Sequence, residues 1–119
     1  MSEEKHTPGP WHADIRRSYG FPSSLTPNIP INPVVMGSPV NRSLAKVPRL
    51  YPEAEANARL IAAAPDLLAD LQESAATLRR YETLHRAKGT AESDEKAEVN
   101  ARLASRFEAT IAKATGGAA

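Results

Sequence analysis

The apolar positions of this chain follow two rhythms. Up to about residue 51 they come in short runs broken by prolines, and beyond it they recur every three or four residues almost to the end. Nine of the ten prolines lie at or before Pro52. Proline lacks a backbone donor and fixes φ, so no long helix fits the first part. Segment 11–15 (WHADI) alternates apolar and polar residues. Segments 31–37 (INPVVMG) and 43–47 (SLAKV) suit β structure and are bounded by turn residues. These patterns predict two or three short antiparallel strands. Segment 22–33 (PSSLTPNIPINP) reads as an irregular loop with polyproline-like spacing.

The second part reads as helices. Pro52 suits a first helical position, followed by Glu53 and Glu55 at the positive end of the helix dipole. That helix runs to about Ala64, where Pro65 breaks it and starts a second helix with Asp66 in its first turn. The second helix continues to about Lys88, with Leu67, Leu71, Leu78 and Tyr81 on one stripe, widened by Leu68, Ala75 and His85. Gly89 stands where a C-cap glycine belongs. Ser93 suits the next N-cap, with Asp94 and Glu95 after it. Val99, Leu103, Phe107 and Ile111 then recur every four residues until Gly116 and Gly117 stop the helix. Two helices of roughly 23 and 21 residues, about 35 and 31 Å long, joined by a short glycine-containing link, predict an antiparallel hairpin. The expected fold is α+β in a single domain, 1–119. A small N-terminal antiparallel β region (1–51) precedes a kinked helix and a C-terminal antiparallel helical hairpin (52–115).

A phrase, A-E-x-N-A-R-L, occurs at 54–60 and again at 97–103. Each copy sets an acid four residues before an arginine, Glu55 before Arg59 and Glu98 before Arg102, which is the favourable order for a helical ion pair. The leucine of each copy, Leu60 and Leu103, is expected on the buried stripe. We read the phrase as convergence on a good helix start rather than as a duplication.

Composition adds an oligomer to this picture. Alanine supplies much of the 41% hydrophobic content of the 119 residues, and alanine-rich helices bury little area each, at about 25 cal/mol per Å². A second copy of the chain is therefore expected to cover Leu71, Leu78, Tyr81, Val99, Leu103, Phe107 and Ile111. The net charge of +1 gives no broad basic footprint, so DNA is an unfavoured partner. The charge is uneven: residues 1–50 carry six Lys/Arg against three Asp/Glu, and residues 51–119 carry nine against eleven. There are no cysteines, which excludes disulfides and thiolate chemistry. The start, MSEEKHTPGPW, has no apolar signal region, and no apolar run reaches the ~20 residues that span a bilayer. A cytoplasmic protein without a membrane partner is expected.

Catalytic motifs are missing. There is no Gly-x-Ser-x-Gly elbow, no Walker-type loop and no Gly-x-Gly-x-x-Gly, and the acids are spread over helix surfaces. We expect no enzyme activity and no cofactor. His6 and His12 lack an acidic partner at ligand spacing, so no metal site is expected, and His85 reads as a packed helix histidine. Trp11 follows Pro8-Gly9-Pro10 and reads as a core anchor. Two basic stretches with aromatic neighbours remain. ADIRRSYGF (13–21) offers Arg16, Arg17 and Tyr19, and NRSLAKVPRLY (41–51) offers Arg42, Lys46, Arg49 and Tyr51. Guanidinium groups bind phosphate in bidentate fashion and rings stack on bases, so this set suits an anionic nucleotide. Arg79-Arg80 and Arg86 to Lys88, interleaved with Glu73 and Glu82, read instead as a solvated face.

HTPGPW (6–11), followed by EANARLIAAAPDLL (55–68), resembles a widespread group of small phage and prophage proteins. In that group a Trp-bearing strand opens the domain, a few strands follow, and then comes the Asn-Ala-Arg-Leu-Ile-Ala-Ala-Ala-Pro helix. The resemblance covers about twenty positions and implies phage origin and action in the host cytoplasm. Small accessory phage proteins often counter host defence, as sponges for cyclic nucleotide signals or as anti-CRISPR-like inhibitors of defence proteins. The resemblance thus implies a non-catalytic binding protein whose partner is a cyclic nucleotide, a host defence protein or another phage component.

Overall fold

The computed structural model describes residues 6–15 and 28–117. Four strands come first: β1 (Trp11–Ala13), β2 (Asn28–Val35), β3 (Ser38–Pro39) and β4 (Ala45–Pro48). Three helices follow: α1 (Ala54–Ala62), α2 (Ala64–Lys88) and α3 (Ala91–Thr115). The expected α+β order, an antiparallel sheet and then helices ending in a hairpin, is what the protein adopts. The chain forms two compact units, residues 1–66 and 67–119.

In the first unit β2 is central. It pairs antiparallel with β1 (Trp11 opposite Pro33, Ala13 opposite Ile31), with β4 (Ile29 opposite Val47) and with the short β3 (Val34 opposite Pro39). Residues 28–33, expected in a loop, belong to this strand; 22–27 lie outside the described residues. Proline normally argues against a central strand, because it cannot donate to the ladder. Here both prolines stand where that loss is tolerated. The C=O of Pro33 accepts from Val40 N–H at 2.8 Å. Val40's own C=O, which Pro33 cannot serve, accepts from Arg42 N–H at 2.7 Å instead. The C=O of Pro30 accepts from Asp14 N–H at 2.9 Å, one residue past the end of β1.

Strand alternation turns Ile29 and Ile31 to one face, where both are fully buried. They pack with Val47 and with Ala54 and Ala58 of α1, and Trp11, Ala13, Ile15 and Ala62 surround them. Burying an isoleucine contributes roughly 1.5–3 kcal/mol, so these two side chains anchor the unit. The Trp11 indole N–H donates to Thr7 C=O at 3.1 Å, and His6 meets the ring edge-on at 6.3 Å. Trp11 is a partly buried packing residue, as its sequence context suggested.

Pro52 is not the first helical position. Residues 52–53 form a turn, and Glu53 caps α1 without a side-chain hydrogen bond. The helix breaks at Ala63, and Pro65 falls in the first turn of α2, as expected. Gly9 lies against this break. A Cβ added to Gly9 would sit 2.7 Å from Cβ and 2.8 Å from Cγ of Pro65, so only glycine allows the approach. The segments HTPGPW and AAAPDLL therefore meet in space.

The second unit is the hairpin. α2 and α3 each have 25 residues. Gly89 (φ +69°) links them in the left-handed conformation that favours glycine. The N-cap of α3 is Thr90, whose hydroxyl accepts from Ser93 N–H at 3.1 Å. Ser93, expected as the cap, is a buried third-turn-position residue, because α3 begins three residues earlier than its acidic run suggests. Gly116 (φ +72°) caps the far end. The seam on α3 is formed by Ser93, Ala97 and Ala104, all buried, with Phe107 and Ile111 half-buried. On α2 it is Ala75, buried, with Leu68, Leu71 and Leu78 half-buried.

Both copies of the repeated phrase thus bury alanine and expose leucine. Ala54, Ala58 and Ala97 are at most 4% exposed, while Leu60 is 63% and Leu103 37% exposed. The expected burial of the leucines is corrected: the first and fifth residues of the phrase define the inward face, and the seventh falls off it.

Two substitutions test this local reading. Gly9→Ala should lower stability by about 1–3 kcal/mol, the usual cost of overpacking, measured as a fall in the thermal midpoint. The β2–β3 turn places Met36 at φ +52° and Gly37 at +80°, and the Met36 side chain is 99% exposed. Met36→Asn should stabilise the protein by about 0.5–1 kcal/mol, because Asn tolerates this conformation and no packing is lost.

Candidate functional site

The expected anion-binding residues are only partly in view. Arg16, Arg17 and Tyr19 lie outside the described residues. Arg42 stands in the link between β3 and β4, exposed. Lys46 is within β4 opposite Pro30, also exposed, and Tyr51 is 62% exposed. Val47 is buried in the core, so alternation turns its neighbour Lys46 to the other face. Arg49 follows β4 and is half-buried. Its Nε and Nη2 are shielded from solvent and have no hydrogen-bond partner among the described residues. A guanidinium carries five donors in a fixed fork, and leaving shielded ones unmet is unfavourable. In the chain Arg49 is flanked by the exposed Arg42 and Lys46 and by Tyr51.

A second feature escaped sequence reading. An open groove of about 350 Å³ is lined by Trp11, His12, Ala13 and Ile15 on one side and by Arg59, Ala62, Ala63 and Asp66 on the other. Both recognisable segments line it. The signal available was their co-occurrence, but nothing local in either segment said that they touch.

The charges of the hairpin do a different job. Arg79 Nη2 donates to Glu108 Oε1 at 2.6 Å and to Ser105 Oγ at 3.0 Å, and its Nε donates to Glu108 Oε2 at 3.2 Å. Arg79 Nη1 donates to Glu82 at 2.9 Å. Arg86 donates to Glu82 at 3.1 Å and to Glu98 at 3.3 Å. Arg79 and Arg86 are thus committed to a latch across α2 and α3, on one side of the hairpin. Glu55 does meet Arg59, at 3.8 Å. Glu98, expected to pair with Arg102, pairs across the hairpin with Arg86 instead.

Of the residues expected to contact a second copy, Leu71, Leu78, Phe107 and Ile111 are half-buried in the hairpin itself. Tyr81 (50% exposed), Val99 (52%) and Leu103 remain open. His85 is half-buried, with an unpartnered Nδ1. Among the described residues no three His, Asp or Glu side chains are gathered to hold a metal ion, and no helix is long and apolar enough to cross a membrane.

Residues 1–118 match the family of Salmonella phage P22 protein Y8K6. The chain belongs to that family. It is a phage protein family, in accord with the resemblance read from the two segments. No curated protein and no solved structure is significantly similar to the chain. The family supplies origin, and the chemistry rests on the residues themselves.

The latch has a pH signature. Hydrogen bonds from Arg79 hold the carboxyls of Glu82 and Glu108 below the ordinary carboxylate range, Arg86 adding to the effect on Glu82. Groups with depressed folded values stabilise the fold above the unfolded pKa, about 4.3 for Glu, and lose that contribution as pH falls through the folded values. The thermal midpoint, followed by far-UV circular dichroism, should therefore drop as pH is lowered below about 4.3. Arg79→Gln should flatten that dependence.

Proposed function

We propose that this phage protein is a non-catalytic binder that acts in the host cytoplasm and counters antiviral defence by sequestering a small anionic nucleotide signal. The observation that carries the reading is Arg49, whose shielded Nε and Nη2 lack acceptors. Two adjacent donors on one guanidinium match two oxygens of a phosphate, and such charge-assisted bonds are about twice as strong as neutral ones. Lys46 and Arg42 add positive charge on the same stretch of chain, and Tyr51 supplies a ring for a base to stack on. Arg16, Arg17 and Tyr19 are the further contributors that the sequence nominates. The absence of any catalytic motif, and a family of phage origin, favour binding over turnover.

Titration calorimetry of the whole chain against cyclic dinucleotides, cyclic trinucleotides and cyclic ADP-ribose isomers tests the proposal. Heat is expected with at least one of them. Arg49→Ala should weaken that binding about tenfold or more while the circular dichroism spectrum stays unchanged, and Arg49→Lys should restore little, since an ammonium lacks the fork. No heat with any nucleotide at high micromolar concentration sinks the sponge. The alternative is then inhibition of a defence protein, or an accessory role in a phage complex, which the open Tyr81, Val99 and Leu103 favour.

A further inference from the structure

The side of the hairpin opposite the latch exposes large apolar side chains among polar and charged ones. Leu67 and Tyr81 on α2 are 52% and 50% exposed, Val99 and Leu103 on α3 are 52% and 37% exposed, and Leu84 at 54% marks the outer margin. At about 100° per residue these positions fall on one side of the two helices, away from Arg79 and Arg86. Two grooves run along it. One, of about 510 Å³, lies between Asp70, Glu73, Ser74, Thr77 and Leu78 of α2 and Leu103 and Phe107 of α3. The next, of about 460 Å³, lies between His85 of α2 and Glu92, Glu95, Lys96, Val99 and Asn100 of α3. The buried positions of the seam are alanines and a serine, while Leu67, Tyr81, Leu84, Val99 and Leu103 face out.

The charge pattern says what fits there. In α2 the first half carries Asp70 and Glu73, and the second half Arg80 and Lys88. In α3 the first half carries Glu92 and Glu95, and the second half Arg106 and Lys113. Lys96 and Arg102 are the exceptions, and Lys96 is occupied by Glu92 at 3.6 Å. Both helices therefore run from acidic to basic in the same sense along the chain. Any antiparallel neighbour with the same gradient sets acid against base, and any parallel one sets like against like. That is the self-complementarity an isologous two-fold interface requires. The area of the face is of the same order as a dimer interface. Twenty-five residues per helix span about 37 Å, and two helices abreast about 20 Å, a footprint on the order of 750 Å². A stable interface takes about 800 Å² from each partner.

We infer that this side of the hairpin is covered by a second copy of the same chain, packed antiparallel about a two-fold axis to form a four-helix bundle. The inference is independent of nucleotide binding, since it uses none of the residues around Arg49.

Sedimentation equilibrium of the intact protein should give a dimer at micromolar concentration. Val99→Glu changes a half-exposed residue, so it should leave helicity intact by circular dichroism and yield a monomer. A charge-exchange pair tests the geometry. A chain with Asp70→Lys and Glu73→Lys has a uniformly basic α2 flank, and one with Arg80→Glu and Lys88→Glu an acidic one. Each alone should dimerise about tenfold more weakly than the parent, and the mixture should recover a mixed dimer. A monomeric parent, a dimer indifferent to Val99→Glu, or exchanged chains that fail to recombine would each overturn the inference. So would a host protein bound to this side of a monomeric chain and released by Val99→Glu.

Discussion

The small side chains at the helix–helix seam are the constraint on which the second unit depends. Ala75, Ala97 and Ala104 are buried there with Ser93, and no larger side chain of α2 or α3 is fully buried. A methyl-sized group gains only about 0.8 kcal/mol on burial, so this seam is weak per residue. It is also unspecific, because a row of nearly equal small residues packs almost as well when slid along its partner. Register must come from elsewhere. Arg79 reaches 29 residues along the chain to Glu108 and 26 to Ser105, and Arg86 reaches Glu98. A planar guanidinium gripping one carboxylate through two nitrogens is satisfied in one register only. Apolar burial holds the helices together, and the latch decides how.

The same economy with bulk shapes the first unit. Two isoleucines and a valine from the sheet, with two alanines from α1, make its core. A sheet with so small a core cannot leave backbone groups unserved. That is why Arg42 N–H turns back to the Val40 carbonyl that Pro33 cannot serve. Core and backbone accounting are coupled here, because Pro33 itself is buried on the face that packs inward.

Much of this was legible in the sequence, and the parts that were not share a cause. Alternation marked 11–15, and period and caps marked α2 through Gly89, since these signals are local. The strand through Pro30 and Pro33 was hidden because its prolines mimic polyproline spacing; only the partner strands reveal that their missing donors cost little. Leu60 and Leu103 looked inward because leucine usually does, yet the alanine positions define the seam. Ser93 looked like a cap because acids follow it, but Thr90 sits next to the glycine that ends α2. For the candidate site, Arg42, Lys46, Arg49 and Tyr51 were found by composition. The special state of Arg49 was not, because unmet donors are a property of the folded surroundings. Arg59 and Asp66 were missed as groove residues because that groove is made by segments fifty residues apart.

That groove also bears on how the family resemblance is to be used. Gly9 must lack a side chain for Pro65 to approach, and Trp11 is seated by its bond to Thr7. The recognisable residues are therefore largely those that dock the opening strand on the helix break. Such residues encode a fold, and a fold carries many functions. Function in this chain is then better sought where chemistry is left incomplete by folding. Arg49 has donors without acceptors, whereas Arg79 and Arg86 are consumed by the latch. Charge alone would rank all three together, and only the hydrogen-bond inventory separates Arg49, whose shielded donors meet no acceptor among the described residues, from the two bound in the latch.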